Sequence, residues 1–191
     1  MNTHVKFNAK AFEKLNLTKK QENHFLTKEN LYDYLTHPIY LVDSVNIDPE
    51  TLVDEALLIF SRTHSHIGLV TNTEGQLFGV VSIKQLKSRK VLQQASRANI
   101  PRSDMTISQI MTPLSQLLCV DGKTFKEISG EELAVHLAHL DVDYLLVINE
   151  DKRQLVGLID RTELENKVGI TIPRKHKPRS FAEIVDNVLH H

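Results

Sequence analysis

Two short tracts hold the side chains on which chemistry could be built. They are Ser82-Ile83-Lys84-Gln85 and Asp160-Arg161-Thr162-Glu163, 78 positions apart (160 − 82). Each follows an apolar run opened by a glycine, Gly79-Val80-Val81 and Gly157-Leu158-Ile159. Each puts a polar residue at the end of that run and a hydrogen-bond acceptor three residues later, the spacing of a helix cap and its capping box. Catalytic chemistry has less to stand on. The ten histidines include His64 and His66, and the pair His136 and His139 at i, i+3, but Cys119 is the only thiol. A zinc site needs three or four convergent ligands, so no metal site is expected. No His-Glu-x-x-His, paired-cysteine, P-loop, nucleophile-elbow or Gly-x-Gly-x-x-Gly motif occurs, and an enzyme is not expected.

The elements around the two tracts repeat as well. In the first copy Val45-Asn46-Ile47 reads as a strand, and Asp48-Pro49 as a turn. Thr51 reads as the cap of a helix over 52–62, with Asp54 completing the box. The apolar stripe of that helix, Leu52, Val53, Ala56, Leu57 and Phe60 widened by Leu58 and Ile59, calls for cover on more than one side. Ile67 to Val70 and Leu77 to Val81 are strands, joined by a turn at Asn72-Thr73-Glu74-Gly75. A lysine- and arginine-rich helix runs from Ile83 to about Ala98. In the second copy Leu118-Cys119-Val120 answers Val45-Asn46-Ile47, and Ser129 with Glu132 answers Thr51 with Asp54. Ala134 answers Ala56, and Tyr144 to Val147 answers Ile67 to Val70 at an offset of 77 (144 − 67). Ile110-Met111-Thr112-Pro113 answers Tyr34-Leu35-Thr36-His37-Pro38, and Thr112 is expected to end a helix before its proline. An offset this long marks a duplicated module, since solenoid repeats run about 20–50 residues.

Composition narrows the classes. The 191 residues are 41% hydrophobic and 25% charged, with a net charge of −1, so no global field draws the chain to nucleic acid or an anionic membrane. No apolar run nears the about 20 residues of a membrane helix. The amino-terminal residues lack the apolar core of a signal peptide. A single cysteine fits a reducing compartment, and the expected location is the cytoplasm.

Strand–helix–strand–strand–helix, twice, with Ile110-Met111-Thr112-Pro113 before the second copy and the two glycine-led exits, resembles a pair of CBS (cystathionine-β-synthase) domains over roughly residues 30–168. The basic run Pro173 to Arg179 and a final amphipathic helix from Ser180 resemble free-standing bacterial CBS-pair proteins. The resemblance implies an α+β fold in which two β-α-β-β-α repeats pack their sheets with pseudo-twofold symmetry, and two such pairs form a homodimer. It also implies that the clefts between repeats bind an adenosyl ligand without turning it over. AMP, ADP, ATP and S-adenosylmethionine are the expected candidates, and no cofactor is required. On this basis the chain divides into an amino-terminal arm or weak helix (1–28), repeat one (29–100), repeat two (101–169), and a connector with its terminal helix (170–191).

The site residues follow from the same resemblance. The junction hydroxyl of the family holds phosphate and the carboxylate three residues on holds ribose. That assigns Ser82 and Gln85 in the first copy, with Lys84 supplying charge. The bland reading of the same residues is a capping box beside a solvated basic face of Lys84, Lys87, Arg89 and Lys90. In the second copy Asp160 takes the phosphate position and Glu163 the ribose position. A carboxylate at Asp160 repels phosphate, because two unit charges about 4 Å apart cost about 4 kcal/mol at an effective dielectric of about 20. This copy therefore stays empty or takes a ligand without phosphate beside Asp160. Thr36, Met111 and Thr112 belong to the lead-in segments near the clefts. Val45, Ile47, Leu118 and Val120 are candidates for an adenine slot or for plain core. Tyr144 is a candidate for an adenine stack or for packing. The expected function is a sensor module. Its rivals are a ligand-free module that holds an unidentified protein partner and a nucleic-acid accessory using the basic run, which the near-neutral charge argues against.

Overall fold

The computed structural model describes residues 11–17, 44–123 and 130–174; at 16, 17, 130, 131, 163, 167 and 168 it describes the backbone alone. The expected helices over 28–35 and 181–189, and the expected cap at Ser129, lie outside these residues. The first repeat runs β2 (Ser44–Ile47), α1 (Val53–Thr63), β3 (Ile67–Thr71), β4 (Gln76–Ser82), then α2 (Ile83–Leu86) and α3 (Arg89–Ala98). A passage through α4 (Ile107–Ile110) and β5 (Thr112–Pro113) leads to β6 (Leu118–Asp121). The second repeat continues with α5 (Gly130–Leu140), β7 (Tyr144–Asn149), β8 (Gln154–Asp160) and α6 (Arg161–Val168).

The duplication is exact in topology. β2 pairs β3 parallel and β3 pairs β4 antiparallel; β6, β7 and β8 do the same. Both antiparallel pairs carry a register shift at the matching place, Val70/Thr71 and Val147/Ile148. The alternation of strand side chains divides the core in three. Val70 and Val81 face α1 and α3 in one cluster with Phe60, while Val147 and Leu145 face α5 in another with Leu133. The opposite faces, with Leu69, Val80, Leu146 and Leu158, meet in a third cluster shared by both repeats. These strands are buried on both faces, which is why they read as near-continuous apolar runs.

Five expectations from the sequence are corrected. The segment 1–28 reads as an arm or weak helix, yet Leu15–Leu17 is a strand, β1. It pairs antiparallel with β4 and parallel with β8, joining the two halves into one hydrogen-bonded sheet. Leu15 is wholly buried; three residues are too few for a period to show. Second, Thr51 does not cap α1. Leu52 is the cap residue, with no side-chain bond, because the helix start is held by its neighbour's backbone: Val53 N donates to Met105 O (2.9 Å) and Ile107 N to Thr51 O (2.9 Å). Asp54 instead pairs with Arg102. Third, the helix over 83–98 breaks at Ser88, whose extended backbone and hydroxyl bond to Gln85 O (2.7 Å) compete with the helix. Fourth, Thr112 lies in β5, beyond the end of α4, extended as a residue before proline prefers. Among the described residues the wide stripe of α1 is also covered on one side only: Val53, Ala56 and Phe60 are buried, and Leu58 stays 50% exposed.

Candidate functional site

Each repeat brings its strand–helix junction to the start of its own middle strand. Ile67 pairs with Ser82, and Ile83 N donates to His66 O (3.0 Å). Tyr144 pairs with Asp160, and Arg161 N donates to Asp143 O (3.0 Å). The two junctions face one cavity of about 370 Å³, lined by His66, Ile67, Ser82 and Lys84 from the first repeat and by their counterparts Asp143, Tyr144, Asp160 and Thr162 from the second. Ser44, Ile83, Leu158, Asn166 and Arg174 complete the wall. A second cavity of about 360 Å³ adjoins it at Ser82, Lys84, Asp143 and Tyr144. Its other walls are Gln85, Ser88, Lys90, Thr112, Gln116, Leu117 and Val142. Both volumes sit at the lower end of the range of small-molecule sites.

The first junction is closed on itself. Gln85 N donates to Ser82 Oγ (3.2 Å) and Ser82 N to Gln85 Oε1 (2.8 Å), a complete capping box. The remaining amide of Gln85 donates to Thr112 Oγ1 (2.8 Å), which ties the junction to the segment between repeats. Ser82 and Tyr144 both line each of the two cavities, so the two repeats meet at these side chains. Burial pushes the Tyr144 hydroxyl above its ordinary range; Asp160 and Asp143 push the same way, while Ser82 and Arg174 oppose. Arg174 Nη1 lies 2.6 Å from Asp143 Oδ1 at the cleft rim.

The expected site residues divide by place. Ser82, Lys84, Asp160 and Tyr144 line the larger cavity, and Gln85 and Thr112 the smaller. Met111 packs on the first repeat's core with its sulfur toward Gly79. Val45 and Leu118 are half-buried against separate cores. Ile47 and Val120 are buried inside those cores, away from the cavity walls. Thr36 and the Glu163 side chain lie outside the described residues. Asp143, Thr162 and Asn166 escape the sequence reading, and His66 enters it only among the histidines weighed for a metal, although the 77–78 offset would have paired His66 with Asp143 and Lys84 with Thr162. Nothing in the sequence points to Arg174 as a cleft residue.

A model of the CBS domain matches residues 32–91. The chain carries a CBS domain. With the second copy of the same topology, the fold is a tandem CBS pair. Among solved structures, the chain is similar to a conserved protein of Pyrococcus horikoshii: 18% identity, covering 74% of this chain and 98% of that one, TM-score 0.49. It is also similar to a conserved CBS domain protein of unknown function from Thermoplasma acidophilum, at 17% identity over 84% and 75% of the two chains, TM-score 0.49. A third is a CBS-domain protein of Agrobacterium tumefaciens, at 16% identity over 68% and 95%, TM-score 0.49. No curated protein matches the chain significantly. Among the described residues, no helix of the CBS pair is long and apolar enough to cross a membrane.

Proposed function

We propose that this CBS pair is a sensor whose cleft binds an adenosyl ligand, of the class AMP, ADP, ATP or S-adenosylmethionine, and holds it without turnover. The observation that carries this reading is the convergence of both junctions on one cavity, position for matching position, around Tyr144 and Ser82. A ligand there touches both repeats at once. It shifts the equilibrium between their arrangements by its differential affinity and no more. In this reading the pair works as a homodimer in the cytoplasm and passes the change to a protein partner.

The half-buried Tyr144 ring offers an apolar face for a base, and Lys84 and Lys90 offer charge. The Ser82–Gln85 box stands for the rival reading, a ligand-free interaction module, because its cap already satisfies the Gln85 amide. Thermal shift with AMP, ADP, ATP, S-adenosylmethionine and NADH separates the two, since a ligand that binds the native state raises apparent stability. Stabilisation by an adenosyl compound is expected. A flat response across the panel leaves the interaction module standing. Ser82→Ala or Gln85→Ala is expected to weaken a phosphorylated ligand more than Asp160→Ala does, and the reverse order would overturn the placement.

A further inference from the structure

Ile83 and Arg161 hold matching places, 78 residues apart (161 − 83), each the first residue of the helix after the junction. Ile83 packs on the first repeat's core. Arg161 does something different. Its side chain is 1% exposed and donates to three carbonyls, Val142 O (3.3 Å), Ile172 O (3.1 Å) and Pro173 O (2.5 Å). A buried guanidinium needs partners for its donors; Nη1 and Nη2 have them and, among the described residues, Nε has none, and two of these acceptors come from the segment after α6. Ile172 N donates in turn to Glu165 Oε1 (2.7 Å), and Ile172 is buried in the second core. Residues 172–173 are therefore pinned from two sides. The next residue, Arg174, is delivered to the cleft rim, where it meets Asp143 and joins Lys84 in the cavity wall.

We propose that Arg174 is the anion-binding residue of the cleft: it takes a phosphoryl group of the ligand and gives up Asp143 in exchange, with Lys84 of the other repeat as the second cation. This deepens the adenosyl reading above and rests on it for the rest of the ligand. Asp160, in the same wall, repels a phosphate, so the positive charge has to come from outside the second junction. The Arg174–Asp143 pair is half exposed on both sides. Such pairs contribute little, about 0–1 kcal/mol, and exchange readily. A guanidinium fits phosphate oxygens with two parallel hydrogen bonds. The exchange also gives the ligand a handle on the strap that Arg161 holds.

The test is titration calorimetry of the full chain with pyrophosphate, ADP and adenosine, on the unmodified protein, Arg174→Ala and Asp143→Asn. Arg174→Ala is expected to weaken pyrophosphate and ADP by about tenfold or more and adenosine by less than about twofold. Asp143→Asn removes the competing carboxylate and is expected to tighten pyrophosphate by a few-fold. The proposal is overturned if Arg174→Ala weakens ADP and adenosine alike, if Asp143→Asn weakens pyrophosphate, or if the unmodified protein ignores pyrophosphate. Adenosine binding untouched by a pyrophosphate failure would sink Arg174 and keep the adenosyl reading. Arg174-dependent pyrophosphate binding without any adenosyl compound would do the opposite.

Discussion

At Ser82 the first repeat turns inward: the hydroxyl and Gln85 cap their own helix, and Gln85 reaches on to Thr112. At Arg161 the second repeat turns outward, taking hold of residues 172 and 173 beyond its last helix. The backbone beneath is the same in both, down to the bond from the first helical N–H to the residue before the middle strand (His66 O, Asp143 O; 3.0 Å each). The strand pairing leaves the backbone no choice, whereas the side chains at the junction are held by nothing but their partners. A duplicated module can therefore keep its fold and divide its labour. One junction here fastens its repeat to the segment that leads into the second, and the other fastens residues 172 and 173.

The sharpest break of the comparison is Gly79→Ala. Gly79 pairs with Pro113, and a Cβ there would collide with the Thr112 carbonyl oxygen and come within 3.0 Å of Met111 Sδ. Backbone cannot yield as a flexible side-chain tip can, so a loss of about 3 kcal/mol is expected in urea unfolding. The damage should be local to the first junction, because β5 also positions Thr112 for Gln85. Hydrogen exchange should show β4 and β5 losing protection before β7 and β8. Equal loss in both halves would mean that β1 and the shared core couple the repeats more tightly than their junctions do.

Next in size is Arg161→Leu, which gives the second junction an aliphatic residue like the first. Three carbonyls, one buried and two part-buried, lose their donor, and a loss of about 2 kcal/mol is expected. The control, Ile83→Leu, should stay within about 1.5 kcal/mol. Trypsin should cut faster after Arg174 in Arg161→Leu alone. Unchanged cleavage would show that Ile172 packing and Glu165 hold the strap without the guanidinium.

The duplication was legible because its signals are periodic and local: a glycine opening each buried strand, an acceptor three residues into each helix, and a turn at Asn72 to Gly75. β1 was not legible, since three residues pairing with strands 62 and 138 positions away (Leu15 with Leu77 is 77 − 15 = 62; Leu17 with Leu155 is 155 − 17 = 138) leave no local trace. Thr51 has the chemistry of a cap, but the backbone of residues 105–107 reaches the helix start first. Ile47 and Val120 were candidates for the cleft because strand alternation says which residues share a face and not what that face meets; each faces its own repeat's helices. Arg161 carries no signal of burial in the sequence, and only the return of the chain over it shows why it is buried.

A smaller effect is expected where the repeats face each other across the cleft. Tyr144→Phe removes the hydroxyl that stands beside Ser82 in the cleft wall and should lose no more than about 1 kcal/mol at neutral pH. Burial raises the Tyr144 hydroxyl in the folded state, so its stabilising contribution is full below the unfolded tyrosine range and is lost as pH rises through the folded value. Cys119, pushed up to about 12 by burial, adds a loss of the same sign that begins lower, from about pH 9. Unfolding of Tyr144→Phe followed from pH 8 to 11 should therefore show a shallower alkaline decline, with the Cys119 part remaining. An identical slope would mean that Tyr144 titrates alike folded and unfolded.

The smallest expected effect tests whether the two repeats are equivalent away from the cleft. Their β-turns match, 78 residues apart (153 − 75), with Asn72 Oδ1 accepting from Glu74 N (3.1 Å) and Asn149 Oδ1 from Lys152 N (3.2 Å). The first turn places Gly75 at φ 79°, and the second places Arg153 at φ 49°. A side chain in this left-handed region costs about 1–2 kcal/mol, and a glycine costs about 0.5–1 kcal/mol of extra chain entropy on folding. Arg153→Gly should thus gain about 0.5 kcal/mol, and Gly75→Arg should lose about the same, both read from urea midpoints. Opposite and equal shifts follow if the turns are interchangeable. If Arg153→Gly loses stability instead, the arginine side chain holds something that Gly75 does not need, and the second repeat has specialised at both ends of β8.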